Sequence, residues 1–205
     1  MDDQADPPVP DEIREEIAHA VRKALSRHGY AGLTTKQVAA ECSMSEAGLY
    51  YYYGSKDELV AAFLESTTGW LSDRLEGLDA ETPRGRLLAL CDQLLVWDGD
   101  RSLRGLNVAV MELLGHAPHN ETLREPLESY QRYVYETLVA VIEAGNETGD
   151  FQVREPEAAA AFLHAMADGT TGFGLALEND QLLAVARSEL HRYVEECIVA
   201  PSSAD

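Results

Sequence analysis

Apolar residues recur every three or four positions along almost the whole chain, and no segment shows the strict alternation of a half-buried strand. The first such stripe comprises Ile13, Ile17, Val21 and Leu25, and it stops at Gly29, a residue type common at helix C-termini. The pattern predicts an all-α protein of about nine helices. The predicted domains are an N-terminal three-helix head over 11–58 and a C-terminal helical bundle for ligand binding and dimerisation over 59–200, between disordered tails at 1–10 and 201–205.

Capping residues predict where the other helices begin. Thr34 can cap a short second helix that ends near Glu41, and a third helix is predicted over 45–53. Ser55, followed three residues later by Glu58, forms the capping box of a fourth helix. The remaining five helices are predicted to start at Thr82-Pro83, Ser102, Asn120, Glu155-Pro156 and Asn179 or Asp180.

A helix-turn-helix needs a small residue where two short helices cross, apolar residues facing the core and a tight turn between the helices. Residues 34–56 supply these features, with Ala39 as the small residue and Cys42-Ser43-Met44 as the turn. The apolar set comprises Val38, Cys42, Met44, Leu49 and Tyr52. Because helix pairs with small residues between them are common, a plain helical hairpin is the alternative to a DNA-binding motif.

The same stretch resembles the tetracycline-repressor (TetR) family of bacterial and archaeal transcription regulators. The family pattern is matched by Thr34-Thr35, Val38-Ala39, Cys42-Ser43-Met44-Ser45, Leu49-Tyr50, Tyr52-Tyr53, Ser55-Lys56 and Leu59. The segment from Leu103 to Leu177 looks like the C-terminal half of the choline-responsive betaine-pathway repressors. The resemblance implies a homodimeric, ligand-responsive regulator, usually a repressor, whose two heads read a palindromic operator in double-stranded DNA and whose bundle binds a small-molecule effector.

The resemblance also implies which residues contact DNA. Thr35 and Lys36 on the second helix, and Lys56 at the start of the fourth, would contact backbone phosphates. The recognition helix would present Ser45, Glu46, Ala47 and Gly48 to the major groove, while Tyr50, Tyr51 and Tyr52 would contact thymine methyl groups or phosphates.

Two departures from the family pattern affect this expectation. Ser43 replaces the usual turn glycine, which would cost about 1 kcal/mol if its φ were positive. The recognition helix carries no arginine or lysine for guanine, so base readout would rest on Glu46 with cytosine and on Ala47 with thymine.

The charge of the chain is strongly negative. Lys and Arg number 16 against 36 Asp and Glu, a formal net charge of −20, and only three of the cations are lysines. Residues 11–65 hold six cations and nine anions, a net charge of 6 − 9 = −3, so the basic surface expected of a DNA-binding protein is absent. Such a composition favours a halophilic cytoplasm, where molar salt screens self-repulsion. An ordinary acidic protein from a GC-rich genome is the alternative.

Other function classes have less support in the sequence. No apolar run approaches the ~20 residues of a membrane helix, and the acidic N-terminus is unlike a signal peptide, so we expect a soluble cytoplasmic protein with no membrane partner. Cys42, Cys91 and Cys197 are too far apart to indicate a zinc site or a disulfide framework. His116 and His119 near Glu112 are interpreted as a solvated loop, and we expect no enzyme activity, metal or cofactor.

The bundle contains two further sets of candidate residues. The predicted effector pocket lies among helices four to eight, although the same spacing is typical of core packing, and its candidates are Trp70, Trp97, Asn107, Met111, Tyr130, Tyr133 and Phe173. Small and apolar residues on the last two helices predict a four-helix dimer interface, with packing inside one chain as the alternative. These residues are Ala158, Ala161, Ala165, Gly169, Gly172, Leu183, Leu190 and Val194. The rival function is a helical adaptor that binds a protein or a small molecule and no longer binds DNA.

Overall fold

The computed structural model describes residues 9–76, 81–95 and 101–201. Within these ranges there are nine α-helices and no strand, apart from an isolated bridge between Phe151 and Val199, which confirms the all-α prediction. The helices are α1 Asp11–Gly32, α2 Thr35–Ala39, α3 Glu46–Tyr52, α4 Lys56–Glu76, α5 Pro83–Leu94, α6 Arg101–His116, α7 Glu121–Thr148, α8 Pro156–Ala176 and α9 Asp180–Tyr193. A 3-10 turn, Ala117–His119, precedes α7, and a π-helical turn, Val194–Ile198, continues α9.

Predicted side-chain caps precede several of the helices, whereas α1 and α8 begin without one. The Thr34 hydroxyl accepts a hydrogen bond from the Gln37 amide, while the Gln37 side chain accepts one from the Thr34 amide, completing a capping box. Ser55 caps α4 by accepting from the Glu58 amide at 3.2 Å, and the Glu58 carboxylate accepts in return from the Gly54 amide at 2.8 Å. The remaining side-chain caps are Ser45, Thr82, Asn120 and Asn179.

Gly29 interrupts the regular helical backbone of α1. Its φ of 64° and ψ of 174° lie outside the helical region, so the chain bends there before one more turn ends at Gly32. The expected strain at Ser43 is absent, because Glu178 is the non-glycine residue with positive φ in the described part of the chain. The turn therefore tolerates serine without a left-handed backbone.

Two hydrophobic cores share helix α7. The first core joins the head to the bundle, since Ile17 and Leu49 of the head pack in one cluster with Leu113 of α6 and Leu127 of α7. The second core is formed by α5, α7, α8 and α9 and includes Leu138. Because the head and the bundle share buried apolar surface, a shift of α6 or α7 must also change the packing of the head.

Some expectations fall outside the described structure. Trp97 and most of both predicted tails lie outside the described residues. Among the helices that are described, none is sufficiently long and apolar to span a membrane.

Candidate DNA-binding site

Contacts from α1 fix the turn between α2 and α3. The Ser43 amide donates a hydrogen bond to the Glu16 carboxylate at 2.6 Å, and this backbone bond lowers the pKa of Glu16. Arg27 of α1 forms an ion pair with Glu41. On the inner side, Val38 and Leu49 are fully buried. The two short helices are therefore held at a fixed angle against α1.

A polar network links α2 to the start of α3. The Thr35 hydroxyl donates to Glu46 Oε1 at 2.9 Å and lies 3.0 Å from the Tyr50 hydroxyl, which is left to act as the donor in that second bond. Thr35 is only 7% exposed. The Thr35 hydroxyl is therefore buried and already bonded, so the predicted phosphate contact of Thr35 would fall to its backbone amide at the start of α2. Glu46 is exposed, but one of its carboxylate oxygens orients Thr35.

The outer side of α2 and α3 carries the accessible candidates. Lys36 and Ala47 are exposed, and Lys36 has no ion pair or hydrogen bond among the described side chains. Tyr51 and Tyr50 are 73% and 51% exposed, which is unusual for such large aromatic rings. We call these four residues, Lys36, Ala47, Tyr50 and Tyr51, the recognition face.

Three other residues predicted to contact DNA, Ser45, Gly48 and Tyr52, stabilise the third helix or its packing. The exposed Ser45 hydroxyl caps α3 by accepting from the amide of the half-buried Gly48 at 3.1 Å. Tyr52 is half-buried against the first core, and its ring meets that of Tyr51 edge to face at 5.0 Å. Tyr53 packs against the same cluster. Of these, Gly48 and Tyr52 form the base of the recognition face, while Ser45 fixes the start of its helix.

Lys56 is tied to the end of α1. Its ammonium group donates to the Tyr30 carbonyl oxygen at 3.3 Å and lies 4.0 Å from the centroid of the Tyr30 ring. The lysine is half-buried at the first residue of α4. The ammonium group that would contact a phosphate is therefore the same group that contacts the carbonyl oxygen and the ring of Tyr30.

Tyr30 connects four helix ends. Its hydroxyl donates to the Asp57 carboxylate at 2.6 Å, and Asn120 donates to the other oxygen of that carboxylate at 2.7 Å. Its amide donates to Glu112 of α6 at 2.5 Å. We call Tyr30, Lys56, Asp57, Glu112 and Asn120 the Tyr30 junction.

Sequence reasoning missed this junction because its members are far apart in the chain and match no motif. Glu112, which lies near the His116–His119 loop in sequence, instead accepts hydrogen bonds from the backbone amides of Tyr30 and Ala31 at the end of α1. His116 also packs its ring against Tyr30, at 4.9 Å between centroids. The junction places α6 and α7 in direct contact with the base of the head.

The predicted dimer residues divide into two groups. Ala158, Ala161, Ala165 and Gly169 are exposed on one face of α8. The same face carries Phe162 and Phe173, which are 47% and 65% exposed, and α9 adds Leu182 and Val185. We call this set of eight residues the α8–α9 face.

The other predicted dimer residues lie inside the chain. Leu183, Leu190 and Val194 are buried, so their assignment to the interface is wrong. Gly172 faces Met111, since a Cβ atom at Gly172 would lie 3.0 Å from the methionine sulfur. Helix α9 is amphipathic, and these leucine and valine side chains occupy its inner side.

The residues predicted to line the effector pocket do not all lie together in the structure. Phe173 is on the outer face of α8 and cannot line an internal pocket. Tyr130 and Tyr133 are half-buried beside the second core. Asn107 and Met111 are half-buried on α6, whereas the side chain of Trp70 lies outside the described part of the structure, as does Trp97. The internal candidates are thus Asn107, Met111, Tyr130 and Tyr133.

Two family models match the chain. The first, described as bacterial regulatory proteins of the tetR family, covers residues 17–63. The second, described as the C-terminal domain of BetI-type transcriptional repressors, covers residues 83–199, more than half of the chain. The chain belongs to the TetR family. The head and bundle of this TetR-family protein correspond to these two matches, and its function is transcriptional regulation.

Individual relatives agree with this assignment. A BetI regulator of Brucella anthropi is 26% identical over 63% of this chain and 67% of its own length. The uncharacterised regulator YfiR of Bacillus subtilis is 29% identical over 78% of each chain. The crystal structure of a TetR regulator from Haloarcula marismortui is 32% identical, covers 91% of this chain and 98% of its own, and superposes with a TM-score of 0.80.

A regulator of Saccharomonospora viridis crystallised with choline shares the fold. It is 23% identical, covers 94% of this chain and 100% of its own, and has a TM-score of 0.78. Among the described residues of the TetR-family protein studied here, no group of three His, Cys, Asp or Glu side chains could hold a metal ion.

Proposed function

We propose that this TetR-family protein is a ligand-responsive repressor that binds a palindromic DNA operator as a homodimer. The observation that carries the proposal is the recognition face, where Lys36, Ala47, Tyr50 and Tyr51 project together from a helix pair fixed by the contacts of Ser43 and Arg27. A recognition helix in the major groove uses small and aromatic side chains for thymine methyl groups and cations for phosphates.

Binding by this surface would depend on few ionic contacts. Lys36 is the exposed cation of the recognition face, whereas Arg14, Arg27 and Lys56 are already engaged by other groups. Each phosphate contact releases about one counterion, so few contacts give a shallow dependence of affinity on salt. This expectation suits a chain of net charge −20 acting in concentrated salt.

The α8–α9 face supports dimerisation. A run of exposed alanine and glycine flanked by Phe162 and Phe173 allows a second copy to approach closely while burying large aromatic side chains. Two copies related by a two-fold axis would carry two heads, which a palindrome with half-sites about one DNA turn apart requires.

The Tyr30 junction supports control by a ligand. An effector that displaces α6 or α7 would act on Glu112 or Asn120, and through them on Tyr30 and the start of α4. Such regulation requires that the ligand stabilise one of two positions of the head more than the other. The choline complex of the Saccharomonospora viridis relative supports a small-molecule effector.

The rival function is an adaptor of the same fold that does not bind DNA. It is favoured by the net charge of −3 over residues 11–65. It is also favoured by the hydrogen bond between Thr35 and Glu46 inside the head, which engages two residues that were predicted to contact DNA. Selection of bound genomic fragments at several KCl concentrations separates the two functions. A repressor enriches one palindromic sequence, and Tyr51→Ala abolishes the enrichment. An adaptor enriches no sequence at any salt concentration, and that result would refute our proposal.

A further inference from the structure

The last turn of α1 is attached to α6 through its backbone. Gly29 has a φ of 64° and a ψ of 174°, so the amide that follows it, that of Tyr30, points away from the axis of α1. This amide donates to Glu112 Oε2 at 2.5 Å, and the Ala31 amide donates to the same oxygen at 3.4 Å. Hydrogen bonds from N–H groups to a carboxylate are among the stronger ones in proteins. A side chain of α6 therefore supplies an acceptor that α1 itself supplies in a regular helix.

The bend requires glycine at position 29 for two reasons. A positive φ is unfavourable for residues that carry a Cβ atom. A Cβ atom at Gly29 would also lie 3.0 Å from both oxygens of the Glu112 carboxylate. Neither reason applies to Gly32 in the same turn, since its φ is not positive and its Cβ atom would find its nearest neighbour, His28 Cβ, at 3.7 Å. The bend and the carboxylate are thus matched at Gly29 alone.

Helix α6 contacts α1 a second time, two turns before Glu112. The two backbones touch where Gly105 meets Ser26, since a Cβ atom at Gly105 would lie 2.4 Å from the Ser26 carbonyl oxygen. Ala109, one turn after Gly105 on α6, is fully buried in the first core. Close-packed helices of this kind move as units. A displacement of α6 away from α1 therefore withdraws the Glu112 carboxylate from the Tyr30 amide.

The end of α1 has a second arrangement available once that acceptor is withdrawn. In a regular helix the Tyr30 amide donates to the carbonyl oxygen of Ser26, four residues earlier. Glycine adopts positive and negative φ values about equally readily, so Gly29 can take either the bent or the helical conformation. The hydrogen bonds to Glu112 therefore decide between a bent and a straight end of α1.

The two arrangements direct the chain differently into the helix-turn-helix. Thr34, the cap of α2, follows Gly29 by five residues, so the bend sets the direction in which α2 begins. The bend also places the Tyr30 ring 4.0 Å from the Lys56 ammonium group and the Tyr30 hydroxyl 2.6 Å from the Asp57 carboxylate. Because every atom after Gly29 rotates with its backbone, a straight end of α1 turns Tyr30 away from both groups.

We infer that Gly29 is a two-state hinge and that Glu112 is the positioning residue that holds the hinge bent. The bent state binds DNA, because it fixes α2 and, through Tyr30, the start of α4. An effector that moves α6 releases Glu112, and the straight state then has a lower affinity for the operator. The inference describes how the recognition face is regulated, and in that respect it rests on the proposed function.

Nuclear magnetic resonance of the full chain without DNA measures the hinge itself. Labelling glycine Cα with ¹³C and the tyrosine amide with ¹⁵N makes the two reporters visible, and the Gly29→Ala and Tyr30→Phe variants assign them. We expect Glu112→Ala to move the Gly29 Cα resonance downfield, toward that of helical glycine. The Tyr30 amide proton should move upfield, because its bond to a carboxylate is lost. Glu143→Ala removes an exposed carboxylate of α7 and is the matched control, with both resonances unchanged.

Operator affinity tests the link between the hinge and DNA binding. Glu112→Gln keeps the shape of the side chain and removes its charge, and we expect it to weaken binding roughly 10-fold in a gel shift. Gly29→Ala should have an effect of similar size, because alanine disfavours the bent conformation. Gly32→Ala adds the same methyl group to the same turn at a residue without positive φ, so it should bind as wild type. A cooperative thermal transition shows that each variant is folded.

Each part of the inference has a result that overturns it. A Gly29 resonance that stays at its wild-type position in Glu112→Ala would refute the hinge, and Glu112→Gln supplies the same comparison if the alanine variant does not fold. Wild-type operator affinity in both Gly29→Ala and Glu112→Gln would refute the role of the hinge in DNA binding. If genomic selection yields no operator, the repressor proposal fails and this regulatory role falls with it. The resonances of the DNA-free chain still decide whether Glu112 controls the hinge.

Discussion

Replacing Tyr30 with phenylalanine tests whether the Tyr30 junction holds the head to the bundle. The change removes one hydroxyl and keeps the ring over which Lys56 lies, as well as the carbonyl oxygen that accepts from it. The lost bond is the 2.6 Å donation to the Asp57 carboxylate, in a residue that is 6% exposed. Hydrogen bonds to charged groups contribute about 1.5–3 kcal/mol, so we expect the free energy of unfolding to fall by about 2 kcal/mol.

That loss corresponds to a fall in thermal midpoint of about 4–8 °C for a domain of this size. Chemical denaturation at pH 7, followed by circular dichroism, measures the change directly. Tyr135→Phe is the matched control, because the Tyr135 hydroxyl donates at 3.5 Å to the backbone carbonyl oxygen of Glu157, an uncharged acceptor in an exposed position. If Tyr30→Phe and Tyr135→Phe have equal stability, the hydroxyl of Tyr30 does not hold the junction and our reasoning about it is refuted.

The same residue gives a signature at alkaline pH. Burial, followed by the bond to Asp57, raises the pKa of Tyr30 to about 12, above its ordinary value of 10.0. The unfolded chain therefore releases this proton first, so the associated stability is fully present below pH ~10 and is lost between pH ~10 and 12, by at most roughly 3 kcal/mol. Tyr30→Phe should reduce this alkaline loss, and an alkaline loss of wild-type size in that variant would show that Tyr30 does not cause it.

Further predictions concern DNA binding, assembly and salt. Lys36→Ala should weaken operator binding about 10-fold in a gel shift while leaving the helix content unchanged. Arg154→Ala, which removes an exposed cation outside the head, should bind as wild type, and equal binding by both variants would contradict a role of the recognition face in DNA binding. Lys56→Ala should lower both affinity and thermal midpoint, because it also removes the contact with Tyr30; an unchanged midpoint would contradict this second role. Ala165→Glu or Gly169→Glu should give folded monomers by light scattering that no longer bind a palindrome, and a surviving dimer would place the interface elsewhere. The thermal midpoint should rise with KCl up to ~1–3 M, although arginine ion pairs such as that of Arg187 with Asp92 reduce the unscreened repulsion. A thermal midpoint that does not change between about 0.2 and 2 M KCl, together with a steep salt dependence of DNA binding, would refute adaptation to high salt.

Local interactions explain why so much of the helix pattern could be read from the chain. A helix is stabilised by bonds between residues three or four apart, so caps such as Thr34 and Ser55 and the stripe from Ile13 to Leu25 are visible in sequence order. The helix-turn-helix was predictable for the same reason, since its small residue, turn and apolar positions lie within about twenty residues.

Contacts between distant residues could not be read in this way. Tyr30 and Glu112 are 82 positions apart, and the spacing of apolar residues carries no information about which carboxylate will reach a given helix end. Leu190 and Phe173 look alike in the periodic pattern, yet Leu190 is buried in the chain and Phe173 is exposed. An amphipathic stripe shows that a helix has an apolar side, but the neighbouring helices determine whether that side is covered within one chain or left for a partner. The open α8–α9 face and the Tyr30 junction therefore emerged only once the helices were packed together.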